Sequence, residues 1–354
     1  MLAADSKVVT APAREALRTE PVFYWKQIIE PVEPFLEAVR RRLAHEVEAF
    51  DKGLVPYANH VLSCQGKQLR PALVALTANT LGRVRDEHVT VAVIIEMVHL
   101  ATLVHDDVMD EAEIRRGRPT LSANWGNDIA VLFGDCLFAH ALTLAASFPT
   151  PEVCRAVAMA TNTVCSGEIL QIQHPRDFRL SRRDYFKMLE MKTAELFALS
   201  CELSACLSGS NPELRNALRQ FGLAFGTAYQ VYDDCVDLFG SEAAAGKSLG
   251  ADLAKGKLTL PLLLLWEMAG AADRDLAQEL VRTWQPGSME QMGSLLAKYG
   301  TLQASIERMS EYLERARLSL RVLPPSDGRA CLLTLTDYLA SQTRALRPAP
   351  DSSL

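Results

Sequence analysis

Apolar side chains recur every three to four positions along most of the chain. This period predicts helices, and the two-residue alternation typical of strands is scarce. Clusters of glycine and proline at 148–152, 208–213, 284–288 and 323–328 separate the segments. The pattern predicts helices over 28–50, 53–64, 70–81, 86–112, 120–147, 151–173, 181–207, 212–239, 259–270, 273–283, 288–297, 301–321 and 328–345.

Several predicted helices exceed twenty residues and stay apolar around much of their circumference. Helices of this kind suit the centre of a large bundle, so we expect an all-α fold with strands improbable. We expect a single helical domain over residues 21–348. A loose N-terminal tail over 1–20 and a short C-terminal tail over 349–354 would flank it.

Composition narrows the class of protein. The 354 residues are 49% apolar and carry a formal net charge of −6, which argues against broad nucleic-acid binding because that needs a basic face. The eight cysteines form no CxxC pair and suggest reduced thiols. The first twenty residues do not resemble a signal peptide, and apolar runs such as 258–266 fall short of the roughly 20 residues of a membrane span. We expect a cytoplasmic protein with at most peripheral membrane contact.

Two acidic stretches, "VHDDVMD" at 104–110 and "VYDDCVDLFG" at 231–240, share the pattern Asp-Asp-x-x-Asp. On a helix, residues four apart lie on one face, so Asp106 pairs with Asp110 and Asp233 with Asp237. Mg²⁺ would relieve the repulsion, since it is typically held by one or two carboxylates with substrate phosphates. One such motif could be a solvated acidic helix end. Two of them in otherwise apolar helices predict a diphosphate site.

Basic residues flank both acidic motifs. Arginine binds phosphate oxygens in a planar fork and lysine as a point charge, so the clusters predict anion binding. One anion would be held through Mg²⁺ and another by bases alone. The basic residues, with the threonine beside Lys192, are Lys67, Arg70, Arg115, Arg116, Lys192, Thr193, Lys247, Lys255 and Lys257. His99 shares a helical face with Leu103 and Asp106. We therefore expect His99 to make a polar contact to the substrate instead of packing in the core.

Taken together, these stretches resemble the trans-isoprenyl (E-polyprenyl) diphosphate synthase family, long-chain type. The matching motifs run in the expected order over about 25–340. They are "GKQLRP", "MVHLATLVHDDVMDEAEIRRGRPT", "GD" at 134–135, "GEILQ", "KTA", "YQVYDDCVDLFG" and "GKSLGADLAKGKLTLP". The resemblance implies an orthogonal bundle of long helices around a central cavity, isoprenoid synthase-like, usually in a homodimer. The apolar stretch 120–147 could serve as the interface.

The resemblance also implies residue roles. The catalytic set would include Asp106, Asp107, Asp110, Lys192, Asp233 and Asp234. Three Mg²⁺ ions would be bound with the substrate, and the metal ligands would be Asp106, Asp110, Asp233 and Asp237. The allylic diphosphate would contact Arg115, Lys192, Thr193, Gln230, Lys247 and Lys257. Isopentenyl diphosphate would contact Lys67, Arg70, His99 and Arg116. No protein nucleophile is required, and no protein base is assigned.

Two departures from the family pattern stand out: Gln65 occupies the position of a usual glycine before Gly66, and Tyr229 that of a usual phenylalanine. The family resemblance also bears on product length. Ala101 and Thr102, just before the first motif, are small, which favours an open pocket and a long, octaprenyl-like product for a quinone side chain. On an ideal helix Thr102 lies near the Asp106 face, whereas Ala101 points away. Deeper candidates for the chain-length pocket are Met97, Phe138 and His140.

Three alternatives stay open at the level of sequence. A short-chain synthase making geranylgeranyl or farnesyl diphosphate is the nearest. A class I terpene cyclase should lack the Lys67, Arg70 and His99 set. A non-catalytic regulatory subunit should have degraded aspartate motifs, and both motifs are intact here.

Overall fold

The computed structural model describes residues 21–63, 66–240 and 249–346. The α-helices are α1 (Pro21–Ile29), α2 (Glu33–Glu48), α3 (Val55–Ser63), α4 (Leu69–Leu81), α5 (Asp86–Met109), α6 (Leu121–Trp125), α7 (Asn127–Ala146), α8 (Glu152–Ile172), α9 (Arg182–Leu189), α10 (Glu195–Leu207), α11 (Pro212–Phe239), α12 (Ala251–Ala254), α13 (Leu260–Met268), α14 (Ala271–Arg282), α15 (Met289–Lys298), α16 (Thr301–Ser319) and α17 (Asp327–Gln342). A π-helical turn, Glu190–Ala194, joins α9 to α10. The prediction of an all-α fold is confirmed. The two predicted tails, 1–20 and 349–354, lie outside the described residues.

The helix predicted over 120–147 is in fact two helices. Thr120 caps α6, because its hydroxyl accepts a hydrogen bond from the backbone N–H of Ala123 at 3.1 Å. Gly126 then adopts φ 86°, a conformation open to glycine that ends α6 before α7 begins. The kink turns α7 to pack along α5.

A short β-hairpin follows the first acidic helix, where the sequence predicted no strand. Strands β1 (Ile114–Arg115) and β2 (Arg118–Pro119) pair antiparallel, with Arg115 opposite Arg118. The turn residues Arg116 and Gly117 both have positive φ, 52° and 74°, as in the tight turns that match strand twist. The hairpin brings the adjacent side chains of Arg115 and Arg116 to two different parts of the molecule.

The main hydrophobic core extends through the chain from Ile28 to Leu339. Helix α11 packs most extensively on α10 and α16. The contact with α10 is at backbone distance: a Cβ on Gly222 would lie 2.4 Å from the carbonyl oxygen of Phe197. A smaller apolar cluster, which includes Ala101 and Phe133, fills the space between α2, α3, α5 and α7.

Judged by length and composition alone, two helices could cross a membrane. The apolar runs in the sequence did not predict them. In α5, 67% of the most apolar 18-residue stretch is buried inside the protein, whereas in α7 only 33% of the corresponding stretch is buried. Helix α5 is therefore a core helix that ends in the first acidic motif. Helix α7 presents an apolar face that the described part of the chain leaves largely uncovered.

Candidate active site

A large cavity of about 640 Å³ lies between α4, the C-terminal half of α5, α8, the π-helical turn and α11. Most of the predicted site residues line this cavity. They are Lys67, Arg70, His99, Thr102, Asp106, Asp107, Asp110, Arg115, Arg116, Lys192, Thr193, Gln230, Asp233, Asp234 and Lys257. Lys247 lies outside the described residues.

The first acidic motif is neutralised by basic residues from two other segments. Arg115 donates to Asp107 Oδ1 from Nε at 2.8 Å and approaches it with Nη2 at 2.7 Å. The Nζ atoms of Lys257 and Lys255 lie 2.9 Å and 3.0 Å from the carboxylate oxygens of Asp110. Burial raises the pKa of Asp110, but the two ammonium groups outweigh it and the net pKa is lowered. The segment after α11 thus reaches back to the end of α5.

Lys192 projects from the π-helical turn. Its Nζ lies 2.6 Å from Glu168 Oε1 and donates to Gln171 Oε1 at 2.9 Å. Burial lowers the pKa of Lys192, yet the nearby Asp106 and Glu168 carboxylates raise it overall, so the amine stays charged. The turn fits against α8 because Gly167 has no side chain; a Cβ there would lie 2.7 Å from the Lys192 backbone nitrogen. Such π-turns are frequent at functional sites.

A chain of hydrogen bonds runs down the wall formed by the π-helical turn and α11. The Thr193 hydroxyl donates to Gln230 Oε1 at 2.9 Å, and Gln230 Nε2 donates to Asp234 Oδ1 at 2.9 Å. Asp234 Oδ2 accepts a hydrogen bond from the Tyr185 hydroxyl. Burial, with the Asp252 carboxylate next, raises the pKa of Asp234 to about 8.

A second set of bases, here called the basic cluster, comprises Lys67, Arg70, His99 and Arg116. The Arg70 guanidinium lies 4.6 Å from the ring centroid of Phe197, and its Nε is buried without a hydrogen-bond partner within the described residues. Burial, followed by the charges of Arg70 and Arg116, lowers the pKa of His99 well below its usual value, so this imidazole is neutral.

Two further contacts shape the basic cluster. A Cβ on Gly66 would lie 2.5 Å from Arg116 Nη2, so the guanidinium occupies the space that glycine leaves. Lys67 donates to the Tyr338 hydroxyl at 3.3 Å and lies 5.7 Å from the ring centroid of Trp25. The adjacent arginines Arg115 and Arg116 therefore have different neighbours: Arg115 contacts the acidic motif, and Arg116 packs against Gly66.

Asp237 was predicted to be a metal ligand together with Asp233, but it lies outside the cavity. Its side chain is fully buried and does not line the cavity. Its Oδ2 accepts from the backbone N–H of Asp252 at 3.2 Å, and its carbonyl oxygen accepts from that of Gly250 at 2.8 Å. Asp237 therefore anchors the segment that carries Lys255 and Lys257, and its predicted role as a metal ligand stays a prediction.

The residues predicted to set product length divide between two spaces. Thr102 lines the large cavity, and its hydroxyl donates to the His99 carbonyl at 2.7 Å. Met97 lines a small apolar cavity between α2, α3, α5 and α7, separated from the large one by Leu100, which contributes to both walls. Ala101 is buried in the smaller apolar cluster, and Phe138 packs 5.7 Å from the His105 ring.

Sequence reasoning missed several residues of the cavity wall. Lys255 was seen only as part of a basic loop, and the missed residues are Glu96, Glu168, Gln171, Tyr185 and Asp252. Glu168 and Gln171 belong to the "GEILQ" stretch, one helical turn apart, and that spacing is the signal that could have identified them.

The donor set suits Mg²⁺ better than a metal held by protein alone. Asp106, Asp110 and Asp233 all line the cavity. Within the described ranges, however, no three Asp, Glu, His or Cys side chains converge as a ready-made cage. Mg²⁺ commonly takes only one or two carboxylates and completes its shell with water and phosphate oxygens. The cavity therefore fits a metal that arrives with a phosphorylated ligand.

Comparison with known proteins agrees with this arrangement. A family profile described as polyprenyl synthetase matches residues 51–298. The all-trans-nonaprenyl-diphosphate synthase (geranyl-diphosphate specific) of Rhodobacter capsulatus is 35% identical over 312 residues, 88% of this chain and 96% of that protein. Heptaprenyl diphosphate synthase component 2 of Bacillus subtilis (strain 168) is 32% identical over 311 residues, 87% of this chain and 88% of that one.

A solved structure extends the likeness to the fold. The polyprenyl synthase of Caulobacter crescentus CB15, complexed with calcium and isoprenyl diphosphate, has a TM-score of 0.85 at 31% identity, covering 90% of this chain and 97% of that one. Both aspartate motifs and the basic residues between them thus lie within a fold and a sequence profile shared with these proteins. The chain belongs to the polyprenyl synthetase family.

Proposed function

We propose that the protein is a long-chain trans-polyprenyl diphosphate synthase. It would condense isopentenyl diphosphate head-to-tail (1′-4, all-trans) with an allylic diphosphate of the farnesyl or geranyl type, giving an octaprenyl-like product suited to a quinone side chain. The observation that carries this proposal is that one cavity has two chemically different anion-binding walls. One wall has carboxylates with lysines, and the other has the basic cluster.

The carboxylate wall suits the allylic diphosphate. Asp106, Asp110 and Asp233 would hold Mg²⁺, three ions with the substrate bound, and Asp237 is proposed to assist indirectly. Bound Mg²⁺ supplies Lewis-acid stabilisation of a leaving diphosphate. Arg115, Lys192 and Lys257 would donate hydrogen bonds to the same diphosphate, where negative charge grows as it departs.

The basic cluster suits isopentenyl diphosphate, held without metal. Arg70 and Arg116 offer planar forks that match phosphate oxygens, and Lys67 adds a mobile point charge. The neutral His99 can hydrogen-bond to a ligand without adding charge. The buried Nε–H of Arg70, without an acceptor within the described residues, supports an anionic partner here.

In the proposed reaction, C4 of isopentenyl diphosphate bonds to C1 of the allylic diphosphate. The allylic C1–O bond breaks, and the diphosphate leaves with the bonding electrons. A proton then departs from C2 of the isopentenyl unit, and the released diphosphate is a chemically competent acceptor. The walls would orient both substrates and keep water from the electron-deficient carbon.

Product analysis tests the proposal. The purified protein is incubated with farnesyl diphosphate, labelled isopentenyl diphosphate and Mg²⁺, and the dephosphorylated products are chromatographed. We expect chains well beyond twenty carbons and loss of turnover in Asp106→Asn. Asp275→Asn, an exposed carboxylate on α14, serves as the matched control. Products that stop at fifteen or twenty carbons would support the short-chain alternative, and an inactive chain would contradict the proposal as a whole.

We also propose that the protein is a homodimer that pairs through α7 and α8. Leu132 on α7 and Met159 on α8 are 62% and 64% exposed, unusual for large apolar side chains on two neighbouring helices. Light scattering should give twice the chain mass, and Leu132→Glu should give a monomer, unlike Leu276→Glu on α14. A monomeric wild type would contradict the proposed dimer.

The proposed setting is the cytoplasm, with at most peripheral membrane contact and no nucleic-acid partner. The net charge of −6 supports the last point, and the proposed dimer would cover the apolar face of α7. Recovery in the soluble fraction after high-salt washing of membranes would agree. Retention that only detergent reverses would not.

A further inference from the structure

Tyr185 is a buried residue of the cavity wall with no role in the substrate contacts proposed above. It lies on α9, is 3% exposed and donates its hydroxyl hydrogen to Asp234 Oδ2. Asp234 is equally buried, 3% exposed, and its other oxygen accepts from Gln230. Both carboxylate oxygens of Asp234 are therefore bound by protein donors.

Asp234 is more deeply buried than its neighbour Asp233, which is half-buried. The amide of Gln230 then has a fixed direction. Its nitrogen faces Asp234, and its oxygen faces Thr193 and accepts a hydrogen bond from the Thr193 hydroxyl. The Thr193 proton is committed to Gln230, so the remaining lone pairs of the hydroxyl are available to the cavity.

We propose that Tyr185 is a positioning residue that sets the direction of the Tyr185–Asp234–Gln230–Thr193 chain. The inference rests on the proposed function, because Thr193 and Gln230 are among the residues expected to contact the allylic diphosphate. Without the Tyr185 hydroxyl, one oxygen of a buried carboxylate loses its donor, and such a group rotates toward another donor or toward water. Gln230 then loses its fixed partner, and the Thr193 hydroxyl can point its hydrogen into the cavity.

The experiment compares Tyr185→Phe with the wild type in steady-state condensation kinetics. We expect kcat to fall between roughly tenfold and a hundredfold, as misplacement of a reacting-site group does. The KM values of both diphosphates should change less than about twofold, because no substrate contact is removed. Tyr299→Phe is the matched control: it removes a Tyr–Asp hydrogen bond of 2.6 Å, to Asp273 on α14, and neither residue lines the cavity. Its kcat should equal that of the wild type.

A double-mutant cycle separates positioning from simple loss of packing. Thr193→Val removes the hydroxyl at the other end of the chain. If the two ends act through one path, adding Tyr185→Phe to Thr193→Val lowers kcat little further, whereas independent roles multiply. Should Tyr185→Phe fail to fold, Gln230→Glu tests the same chain, because it removes the amide nitrogen that donates to Asp234.

The outcomes are distinct. An inactive wild type refutes the proposed function and leaves the positioning role without a reaction. An active wild type with unchanged kcat in Tyr185→Phe, or in Gln230→Glu, overturns the positioning role alone. Multiplicative losses in the double variant, or a rise in KM without a fall in kcat, overturn it as well.

Discussion

Replacing Gly66 by alanine would disturb the basic cluster while leaving the aspartate motifs untouched. The added Cβ would lie 2.5 Å from Nη2, 2.7 Å from Cζ and 2.8 Å from Nη1 of Arg116. These distances are too short for carbon next to any of the three atoms. The atoms in the way are the far end of a flexible side chain, so we expect the guanidinium to move by about an ångström, and the loop backbone to stay.

The magnitude follows from the contact that moves. A hydrogen bond to a charged group contributes about 1.5–3 kcal/mol. Loss of one such contact to isopentenyl diphosphate should therefore raise its KM roughly 10- to 150-fold. The KM of the allylic diphosphate should stay constant, because Arg115 faces Asp107 from the other side of the hairpin.

The assay varies each diphosphate in turn while the other is saturating. Gly293→Ala on α15 is the control, since a Cβ there meets nothing within 4 Å. An equal rise in both KM values would mean that Arg116 serves both substrates. An unchanged KM for isopentenyl diphosphate would mean that Arg116 does not bind it, and the division of the cavity into two anion sites would then be wrong.

Three other substitutions test separate parts of the structure. Thr102→Phe should shorten the products seen by chromatography, since Thr102 lines the large cavity, whereas Thr90→Phe on the exposed side of α5 should not. Gly167→Ala should destabilise the protein by about 1–3 kcal/mol and lower turnover, because the Cβ would lie 2.7 Å from the Lys192 backbone nitrogen. Urea unfolding measures the loss of stability, and the product assay measures turnover. Burial lowers the pKa of His88, so the folded protein takes up this proton at a lower pH than the unfolded chain, whose histidine titrates at about pH 6.5. The free energy of unfolding of the wild type should therefore decrease as the pH drops below that value. Urea unfolding at pH 7.5 and 5.5 should show a smaller decrease for His88→Gln. Equal decreases in the two proteins would contradict this account.

The helices and the chemistry of the cavity could be predicted because each depends on residues that are only a few positions apart in the sequence. The period of apolar residues fixes which segments are helical, and the spacing of Asp106 and Asp110 puts two carboxylates on one face. The break at Gly126 was missed because a single glycine within an apolar stretch does not interrupt the pattern. The hairpin was missed because two-residue strands are too short to alternate.

Contacts between distant segments could not be read from the sequence. Asp237 shares a helical face with Asp233, but the segment around Gly250 folds over it and donates hydrogen bonds to its backbone carbonyl oxygen and to Oδ2. Tyr185 is 49 residues from Asp234 and sits in an ordinary amphipathic pattern. The π-helical turn under Lys192 lies within a continuous helical pattern and needs Gly167 of another helix to fit.

The lysines that hold Asp110 have a consequence for the order in which ligands can be accommodated. Lys255 and Lys257 neutralise this carboxylate, so a cation that binds Asp110 competes with the two ammonium groups. A diphosphate offers those ammonium groups an alternative partner. When both ions bind, the cation would contact Asp110 and the diphosphate would contact the two lysines. Each ion should then raise the affinity for the other by the same factor, as thermodynamic linkage requires. If the protein binds Mg²⁺ and a diphosphate as proposed, the two together should therefore bind more favourably than either ion alone.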